Sequence, residues 1–148
     1  MSERRGISPK KWGACGWSFI HYVALGYPVR NPSAGDINQY RSFFVDSLPL
    51  VLPCKACREN LTRHITHAPP DSALEEGRES LFAWTVRLHN IVNREAGKPT
   101  VDPRAAKLVY EAGPTCVCTP PGLFSADAVT VILVLALCLL IAGYMGRD

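Results

Sequence analysis

The sequence predicts an all-α protein, a four-helix bundle plus a short fifth helix, followed by a C-terminal transmembrane helix. Three observations lead to this fold class. Apolar residues recur at helical spacing, Ser or Asp caps and Pro or Gly breakers delimit five such segments, and a long uncharged run closes the chain. With 148 residues, of which 47% are hydrophobic, one compact domain is expected.

The first two predicted helices are rich in aromatic residues. Residues 12–27 are helical in character, and Pro28 ends that run. Ser33 and Asp36 are typical of a capping box that opens the second helix. Aromatic and aliphatic residues then recur at three- and four-residue intervals until Pro49, where we expect this helix to end.

A Pro-rich break precedes the third predicted helix, and another precedes the fourth. The third begins with a C-x-x-C pair at Cys54 and runs to about His67. Ser72 and Glu75 have the spacing of a second capping box, which predicts a long fourth helix. Gly97, followed closely by a proline, is expected to close it.

A short fifth helix completes the predicted bundle. Asp102 is placed to cap it, and Pro103 suits its first turn. Gly113 and the proline after it end the helix. Every element of the predicted domain is therefore helical.

The chain accordingly divides into four predicted parts. Residues 1–11 form a charged N-terminal tail, and residues 12–113 form the helical domain. Residues 114–127 form a Pro-rich leash that carries a C-x-C pair. Residues 128–145 form the predicted transmembrane anchor.

The anchor is predicted from an uncharged run of 18 residues, Ala128 to Met145. As a helix this run would be about 27 Å long, against a hydrocarbon core of about 30 Å. A buried core helix is the alternative, but the run is apolar on every face. Since the charged N-terminus lacks the apolar stretch of a secretory signal, we expect a single-pass anchor with the helical domain facing the cytosol.

Charge gives no indication of a nucleic-acid partner. The net charge is +3, and the basic residues are scattered apart from one N-terminal cluster. A nucleic-acid-binding domain usually concentrates its basic residues on one face. We therefore expect no nucleic acid.

The C-x-x-C pair, Cys54 and Cys57, is the first candidate for chemistry. Two thiols at this spacing can form a disulfide, and a helix start beneath them supplies unpaired N–H groups that favour a thiolate. Lys55 and Arg58 add positive charge that also favours the anion. In a reducing cytosol such a pair is more often catalytic or metal-bound than structural, so a redox dithiol is the first interpretation.

A zinc site and a pair of inert buried thiols are the alternatives for these cysteines. His64 and His67 complete a C-x2-C-x6-H-x2-H pattern that could hold zinc. However, position 64 would lie about 15 Å along the helix axis from its start. Zinc ligands all lie about 2.0–2.3 Å from one metal ion, so this spacing disfavours the site.

Three further groups of residues are candidates with ordinary structural alternatives. Trp17 and His21 share one helix face, although a lone His is usually only packed. His89, Asn90 and Asn93 form a polar arc on the fourth helix, although such an arc usually just faces water. The pair Cys116 and Cys118 is a plausible mobile dithiol or merely incidental, and Cys15 and Cys138 have no assigned role.

Taken in order, these motifs resemble the Erv/ALR family of FAD-linked sulfhydryl oxidases over about residues 12–112. The resemblance rests on Trp17, Phe19, His21, Tyr27-Pro28, Pro53-Cys54-x-x-Cys57, and Leu88-His89-Asn90-x-Val92-Asn93-Arg94-x-x-Gly97-Lys98-Pro99. The predicted anchor and cytosolic placement are similar to versions from large cytoplasmic DNA viruses, which would place the protein in a host membrane or virion.

The resemblance implies a function and a set of binding residues. FAD would lie in the bundle mouth, and two subunits would pack through their first two helices as a homodimer. The absence of any G-x-G-x-x-G agrees, because no Rossmann turn is available. The residues that the resemblance assigns to FAD are Gly13, Trp17, His21, His89, Asn90, Val92, Asn93, Lys98 and Tyr110.

The implied reaction is that of a thiol oxidase, in which a dithiol and O₂ give a disulfide and hydrogen peroxide. A thioredoxin-like or other protein dithiol would exchange with the shuttle pair, Cys116 and Cys118. Electrons would pass to Cys54 and Cys57, with Cys57 against the flavin and Cys54 as the exchange thiol. No metal is expected in this account. The alternative from another class is a membrane-anchored, zinc-stabilised helical adaptor without catalysis.

Two departures from the family pattern matter. Relatives often carry an Arg just before the first-helix Trp, where this chain has Ala14 and Cys15. Many also have a disulfide that ties the fourth helix to the fifth, and here Val86 and Pro103 stand at those positions. Both halves of that disulfide are missing together, so its role must fall to packing and bound FAD.

Overall fold

The computed structural model describes residues 6–113, all of which lie in one compact unit, Met1–Cys116. The predicted leash with its C-x-C pair and the predicted anchor, residues 114–127 and 128–145, lie outside the described residues. Between residues 6 and 113, no helix is both long enough and apolar enough to cross a membrane.

The described residues are helical throughout and contain no strand, which confirms the all-α prediction for this part of the chain. A π-helical turn, Ser42–Ser47, joins the second and third of its α-helices. The α-helices are α1 Pro9–Leu25, α2 Ala34–Arg41, α3 Leu48–Val51, α4 Lys55–His67, α5 Asp71–Glu76, α6 Arg78–Glu95 and α7 Pro103–Ala112.

The bundle is organised around α6, which packs against α1, α4, α5 and α7. Four long helical stretches result, since α2 and α3 are nearly continuous and α5 leads directly into α6. Burying apolar surface of this kind stabilises the fold by about 25 cal/mol for each Å² removed from water. The largest side chains that are fully buried among the described residues are Tyr27, Phe44, Phe82, Leu74, Leu81, Leu88, His21 and Thr85.

Two of the helix starts predicted from the sequence are confirmed. The Asp36 main-chain N–H donates to Ser33 Oγ at 3.1 Å, and the Ser33 N–H donates to Asp36 Oδ2 at 2.9 Å, which completes the capping box. Asp102 accepts hydrogen bonds from the first main-chain N–H groups of α7 at 2.9 and 3.1 Å. These caps are local, so the sequence alone is sufficient to predict them.

The start of α1 and the end of the second helical stretch differ from prediction. Ser8 caps α1, which therefore begins at Pro9 rather than residue 12. The second stretch does not end before Pro49 but continues to Val51. Pro49 is tolerated because the π-helical turn is followed by a new α-helical turn, whose first residues need no N–H partner.

The predicted fourth helix is interrupted, and its predicted capping box is wrong. The first piece, α5, begins after Pro70 without a side-chain cap, so Ser72 does not act as one. Gly77 breaks the run with a φ of +111°, and a Cβ on it would lie 2.5 Å from the Val29 carbonyl oxygen. The Arg78 N–H then donates to the Pro28 carbonyl at 2.9 Å. Close backbone approach therefore requires glycine here.

We predict that Gly77→Ala lowers the free energy of unfolding by about 3 kcal/mol, because it adds both φ strain and a backbone clash. Gly97→Ala is the matched control, since Gly97 also has a positive φ, +65°, but open space around its Cα. It should cost only about 1 kcal/mol. Urea unfolding of both variants provides the measurement, and equal losses would contradict the role given to close approach at Gly77.

Candidate active site

The C-x-x-C pair lies at the start of α4 and is closed as a disulfide. The Cα atoms of Cys54 and Cys57 are 5.1 Å apart, within the normal range for such a bond. Cys54 is the cap of α4, and its Sγ accepts the main-chain N–H of Cys57 at 3.2 Å. The predicted helix start is thus confirmed, and its N–H groups favour negative charge on Cys54 when the bond is reduced.

Two hydrogen bonds hold the loop that leads into the dithiol. Arg58 Nη1 donates to the Leu52 carbonyl at 2.6 Å, so this side chain fixes the loop from within α4. On the other side, the Ile7 N–H donates to the Pro53 carbonyl at 2.8 Å. The short segment before α1 is thereby bonded directly to the residue that precedes Cys54.

The two histidines of the zinc pattern make other contacts. Buried His64 pairs through Nε2 with Glu95 Oε2 at 3.0 Å, and His67 Nδ1 lies 2.7 Å from the Arg63 carbonyl oxygen. Within the described range, no cluster of three or more His, Cys, Asp or Glu side chains is arranged to hold a metal ion. The histidines of α4 instead connect it to α6 and to its own preceding turn.

A cavity of about 310 Å³ opens beside Cys57, between α1, α4 and α6. Its lining is mainly apolar, with aromatic rings from α1 on one side. Three of the residues assigned to FAD by resemblance, Gly13, Trp17 and Val92, line it together with Cys57. The full lining is Pro9, Trp12, Gly13, Gly16, Trp17, Ile20, Leu52, Cys57, Asn60, Leu61, Val92, Glu95 and Ala96.

Other predicted residues meet in an aromatic cluster that shares Trp17 with the cavity. The Trp17 and His89 rings stack with centroids 4.1 Å apart and planes 7° apart. His21 Nε2 lies 3.2 Å from His89 Nδ1, and the Tyr110 ring packs edge-on against His21 with centroids 5.0 Å apart. Residues that are distant in sequence, on α1, α6 and α7, are therefore brought together here.

The histidine pair is neutral at physiological pH. Burial, followed by the proximity of His89, lowers the pKa of His21 to about 3. Burial, followed by the positive charge of Lys98, lowers the pKa of His89 to about 4. Both shifts have the sign expected when an imidazole is removed from water near like charge. Lys98 itself is exposed at the end of α6.

The remaining predicted residues surround the C-terminal end of α6. The Asn90 amide donates to the Val101 carbonyl at 2.8 Å and accepts the Val101 N–H at 3.0 Å. Asn90 thus holds the loop between α6 and α7 and does not line the cavity. Asn93 is half-buried, and its main-chain carbonyl accepts the Lys98 N–H at 2.8 Å.

Sequence reasoning missed Glu95, which lines the cavity with Cys57. Its carboxylate accepts from Arg63 Nη2 at 3.1 Å and pairs with His64 at 3.0 Å. The cavity wall on α6 is therefore tied directly to the helix that carries the dithiol. No signal in the sequence indicates this contact, because the partners are separated by about thirty positions and follow no motif.

Val86 and Pro103, the positions where the resemblance predicted a disulfide to be missing, have structural roles in the bundle. Val86 is 3% exposed in the core, and Pro103 begins α7. Polar contacts also connect α7 to the rest of the bundle: Lys107 Nζ lies 2.7 Å from Glu79 Oε1 on α6. An exposed ion pair of this kind contributes little to stability, so burial of Val86 stabilises this part of the bundle more than the ion pair does.

These features define a class of protein. A small helical bundle carries a C-x-x-C disulfide at a helix start, beside a cavity lined in part by aromatic rings. The chain belongs to the Erv1/Alr family, whose model matches residues 14–111.

Viral and cellular proteins are similar to this chain. A protein of Acanthamoeba polyphaga mimivirus named as an FAD-linked sulfhydryl oxidase is 45% identical over 92 residues, which are 62% of this chain and 63% of that protein. One of Invertebrate iridescent virus 3, with a similar name, is 32% identical over 96% of this chain and 97% of its own length. The crystal structure of the FAD binding domain of Erv1 from Saccharomyces cerevisiae matches with a TM-score of 0.65 and 25% identity, over 72% of this chain and 97% of that one.

We predict that stability falls as pH drops from 6.5 toward 4, because of the His21 and His89 pair. The unfolded chain binds protons near pH 6.5, whereas the folded pKa values are about 3 and about 4. In that window the unfolded state holds more protons, so the free energy of unfolding rises with pH. The slope is at most about 1.4 kcal/mol per pH unit for each imidazole, and less for half-buried His89.

Urea unfolding at pH 7, 6 and 5 tests this pH dependence. The His21→Gln/His89→Gln double variant is the comparison, because other titrating groups then cancel. It should show a flatter dependence than the wild type by about 1–2 kcal/mol per pH unit. Parallel curves for the two proteins would contradict the burial of a neutral histidine pair.

Proposed function

We propose that this protein is an FAD-dependent thiol oxidase. It would form disulfides in partner proteins and pass the electrons through Cys54–Cys57 and FAD to O₂, giving hydrogen peroxide. The observation that carries this proposal is that Cys57 lines the cavity between α1, α4 and α6. Membership of the Erv1/Alr family and the names of its relatives support the same reaction.

The residues around the cavity fit a flavin. The cavity volume of about 310 Å³ and its mainly apolar, partly aromatic lining are typical of small-molecule and cofactor sites. A Cβ at Gly13 would meet no atom within 4 Å, so this wall is open to a ligand. Trp17 provides an aromatic face, and exposed Lys98 provides positive charge for a pyrophosphate.

The family resemblance assigns further residues to contacts with FAD. Gly13, Trp17 and Val92 would hold it from the cavity wall, and Asn90 would position the loop beside it. The other residues of this set are His21, His89, Asn93, Lys98 and Tyr110. When bound, FAD supplies two-electron redox chemistry that the side chains cannot perform, and the protein orients it.

The dithiol reaction follows from the position of each sulfur. A substrate thiolate attacks Cys54 Sγ, forms a mixed disulfide and releases Cys57 as a thiolate. The second substrate thiol, after losing its proton, then attacks the substrate sulfur of that bond and releases Cys54. The substrate has lost two electrons and two protons, and the pair Cys54 and Cys57 is reduced. Because Cys57 lines the cavity, its sulfur would lie next to a flavin held there, which would supply the two-electron chemistry that reoxidises the pair.

The start of α4 stabilises the cysteine thiolates that the two exchange steps release. Cys54 Sγ already accepts the Cys57 N–H at 3.2 Å, and the same N–H stabilises Cys54 as a leaving thiolate. The helix dipole adds a favourable positive potential at this end. The structural placement therefore favours Cys54 as the exchange thiol and Cys57 as the thiol next to the cofactor.

The proposal extends to the partners of the enzyme. Its substrates would be thioredoxin-like or other protein dithiols, reached through the shuttle pair Cys116 and Cys118. Two chains would associate through α1 and α2, a proposal supported by Phe19 and Tyr22, which are 56% and 39% exposed on α1. The C-terminal helix would anchor the protein in a host membrane or virion, with the catalytic domain facing the cytosol.

We predict that Cys54→Ser leaves Cys57 as a thiolate beside oxidised FAD. This pair should give a broad absorbance band at wavelengths longer than the flavin's own, since the thiolate donates charge to the ring. The Cys54→Ser/Cys57→Ser double variant should lack the band, and Cys15→Ser is the control that should resemble wild type. A band that persists without Cys57 would contradict its assignment.

We predict that the Cys116→Ser/Cys118→Ser variant loses more than about tenfold in turnover of a folded thioredoxin-like dithiol. Small dithiols can reach Cys54 directly, so their turnover should stay within about twofold of wild type. About 15 extended residues between positions 112 and 128 reach at most roughly 50 Å, which confines the shuttle to the membrane surface. Oxygen consumption measures both substrates, and equal effects on them would contradict a shuttle.

A further inference from the structure

Thr85 is a fully buried polar side chain on α6, one turn before His89. Its hydroxyl donates to the Phe82 carbonyl at 2.7 Å. Its Oγ1 also lies 2.9 Å from His21 Nδ1 on α1. A polar group without access to water needs hydrogen-bond partners. The two partners of Thr85 determine which atom donates and which accepts in the bonds from Thr85 to His21 and from His21 to His89.

The Phe82 carbonyl oxygen can only accept a hydrogen bond, so Thr85 must donate to it. The single hydroxyl proton of Thr85 is therefore used in that bond. It follows that Thr85 Oγ1 accepts from His21, so the proton of His21 lies on Nδ1. The tautomer of His21 is thereby fixed by a residue 64 positions away along the chain.

His21 in turn determines which nitrogen of the His89 ring carries the proton. His21 is 2% exposed and is surrounded by the rings of Phe82 and Tyr110, an environment that keeps it neutral. With Nδ1 protonated, its Nε2 is an acceptor, so His89 Nδ1 donates the bond of 3.2 Å. A neutral His89 with its proton on Nδ1 then has an unprotonated Nε2, which can only accept a hydrogen bond.

We propose that Thr85 is a positioning residue that holds His21 and His89 as Nδ1–H tautomers, so that His89 offers an acceptor nitrogen to the ligand. His89 stacks on Trp17, which lines the cavity, so the His89 ring lies directly beside the site. A hydroxyl or amino group of a dinucleotide is a donor that suits this nitrogen, whereas a phosphate oxygen is not. This last step rests on the proposed function; the tautomers do not.

The chain offers a matched pair of variants. Thr85→Val has the same shape but removes the hydroxyl, and Thr85→Ser retains it. Without an acceptor at Thr85, the buried Nδ1–H of His21 loses its partner. Moving that proton to Nε2 removes the unpaired N–H and reverses the hydrogen bond with His89 Nδ1, so that His21 Nε2 donates it. It also forces the His89 proton to Nε2, so this nitrogen changes from acceptor to donor.

Nitrogen-15 NMR of the histidine rings tests the inference in the purified, oxidised full chain at neutral pH. We expect Nδ1–H on both rings in the wild type and in Thr85→Ser, and Nε2–H on both in Thr85→Val. Nε2–H on either ring in the wild type would overturn the inference without any variant. Unchanged tautomers in a folded Thr85→Val protein would overturn the role of Thr85.

FAD affinity provides the second readout. Thr85→Val should bind FAD about tenfold more weakly, the size expected for exchanging one acceptor for a donor, while Thr85→Ser stays within about twofold of wild type. Equal affinity for all three proteins would overturn the step from tautomer to ligand. Should the wild type bind no FAD, the proposed function would be wrong, and the NMR pattern would still decide the tautomers.

Discussion

The packing of α1 against α6 is the contact on which the rest of the site depends. Across it, Trp17 stacks on His89 at 4.1 Å, and His21 bonds to both His89 and Thr85. These contacts fix one wall of the cavity in position and rotation, because a stacked ring and a directional hydrogen bond tolerate little sliding. Buried His21 and half-buried His89 are neutral there at physiological pH, because burial lowers the pKa of both rings.

The position of the dithiol at the start of α4 is the second constraint on the site. Cys54 must lie at the helix start to gain the N–H groups that stabilise a leaving thiolate, which places Cys57 toward the cavity. His64 on α4 then pairs with Glu95 on α6 at 3.0 Å, so the helix that carries the dithiol is connected directly to the cavity wall. In the middle of α6, Val86 packs in the core, and Pro103 begins α7, so this part of the bundle is held by packing and not by a disulfide between these two positions.

Features whose interacting residues lie close together in the chain could be predicted from the sequence, and features whose partners are distant could not. The caps at Ser33 and Asp102 were predictable because their partners lie within three residues. The break at Gly77 was not, since its cause is a carbonyl nearly fifty positions earlier. In the same way, the i, i+4 spacing placed Trp17 and His21 on one face, whereas Thr85 has no local signal and becomes important only when α1 packs beside it.

The central claim is that electrons from a dithiol reach FAD through Cys57. Anaerobic titration of the purified chain with a small dithiol, followed by flavin absorbance, tests it most directly. We expect one flavin per chain, bleached at about one dithiol per flavin once the active-site disulfide is reduced and restored by O₂ with release of peroxide. A colourless protein, or bleaching at an unchanged rate after Cys57→Ser, would contradict this electron path.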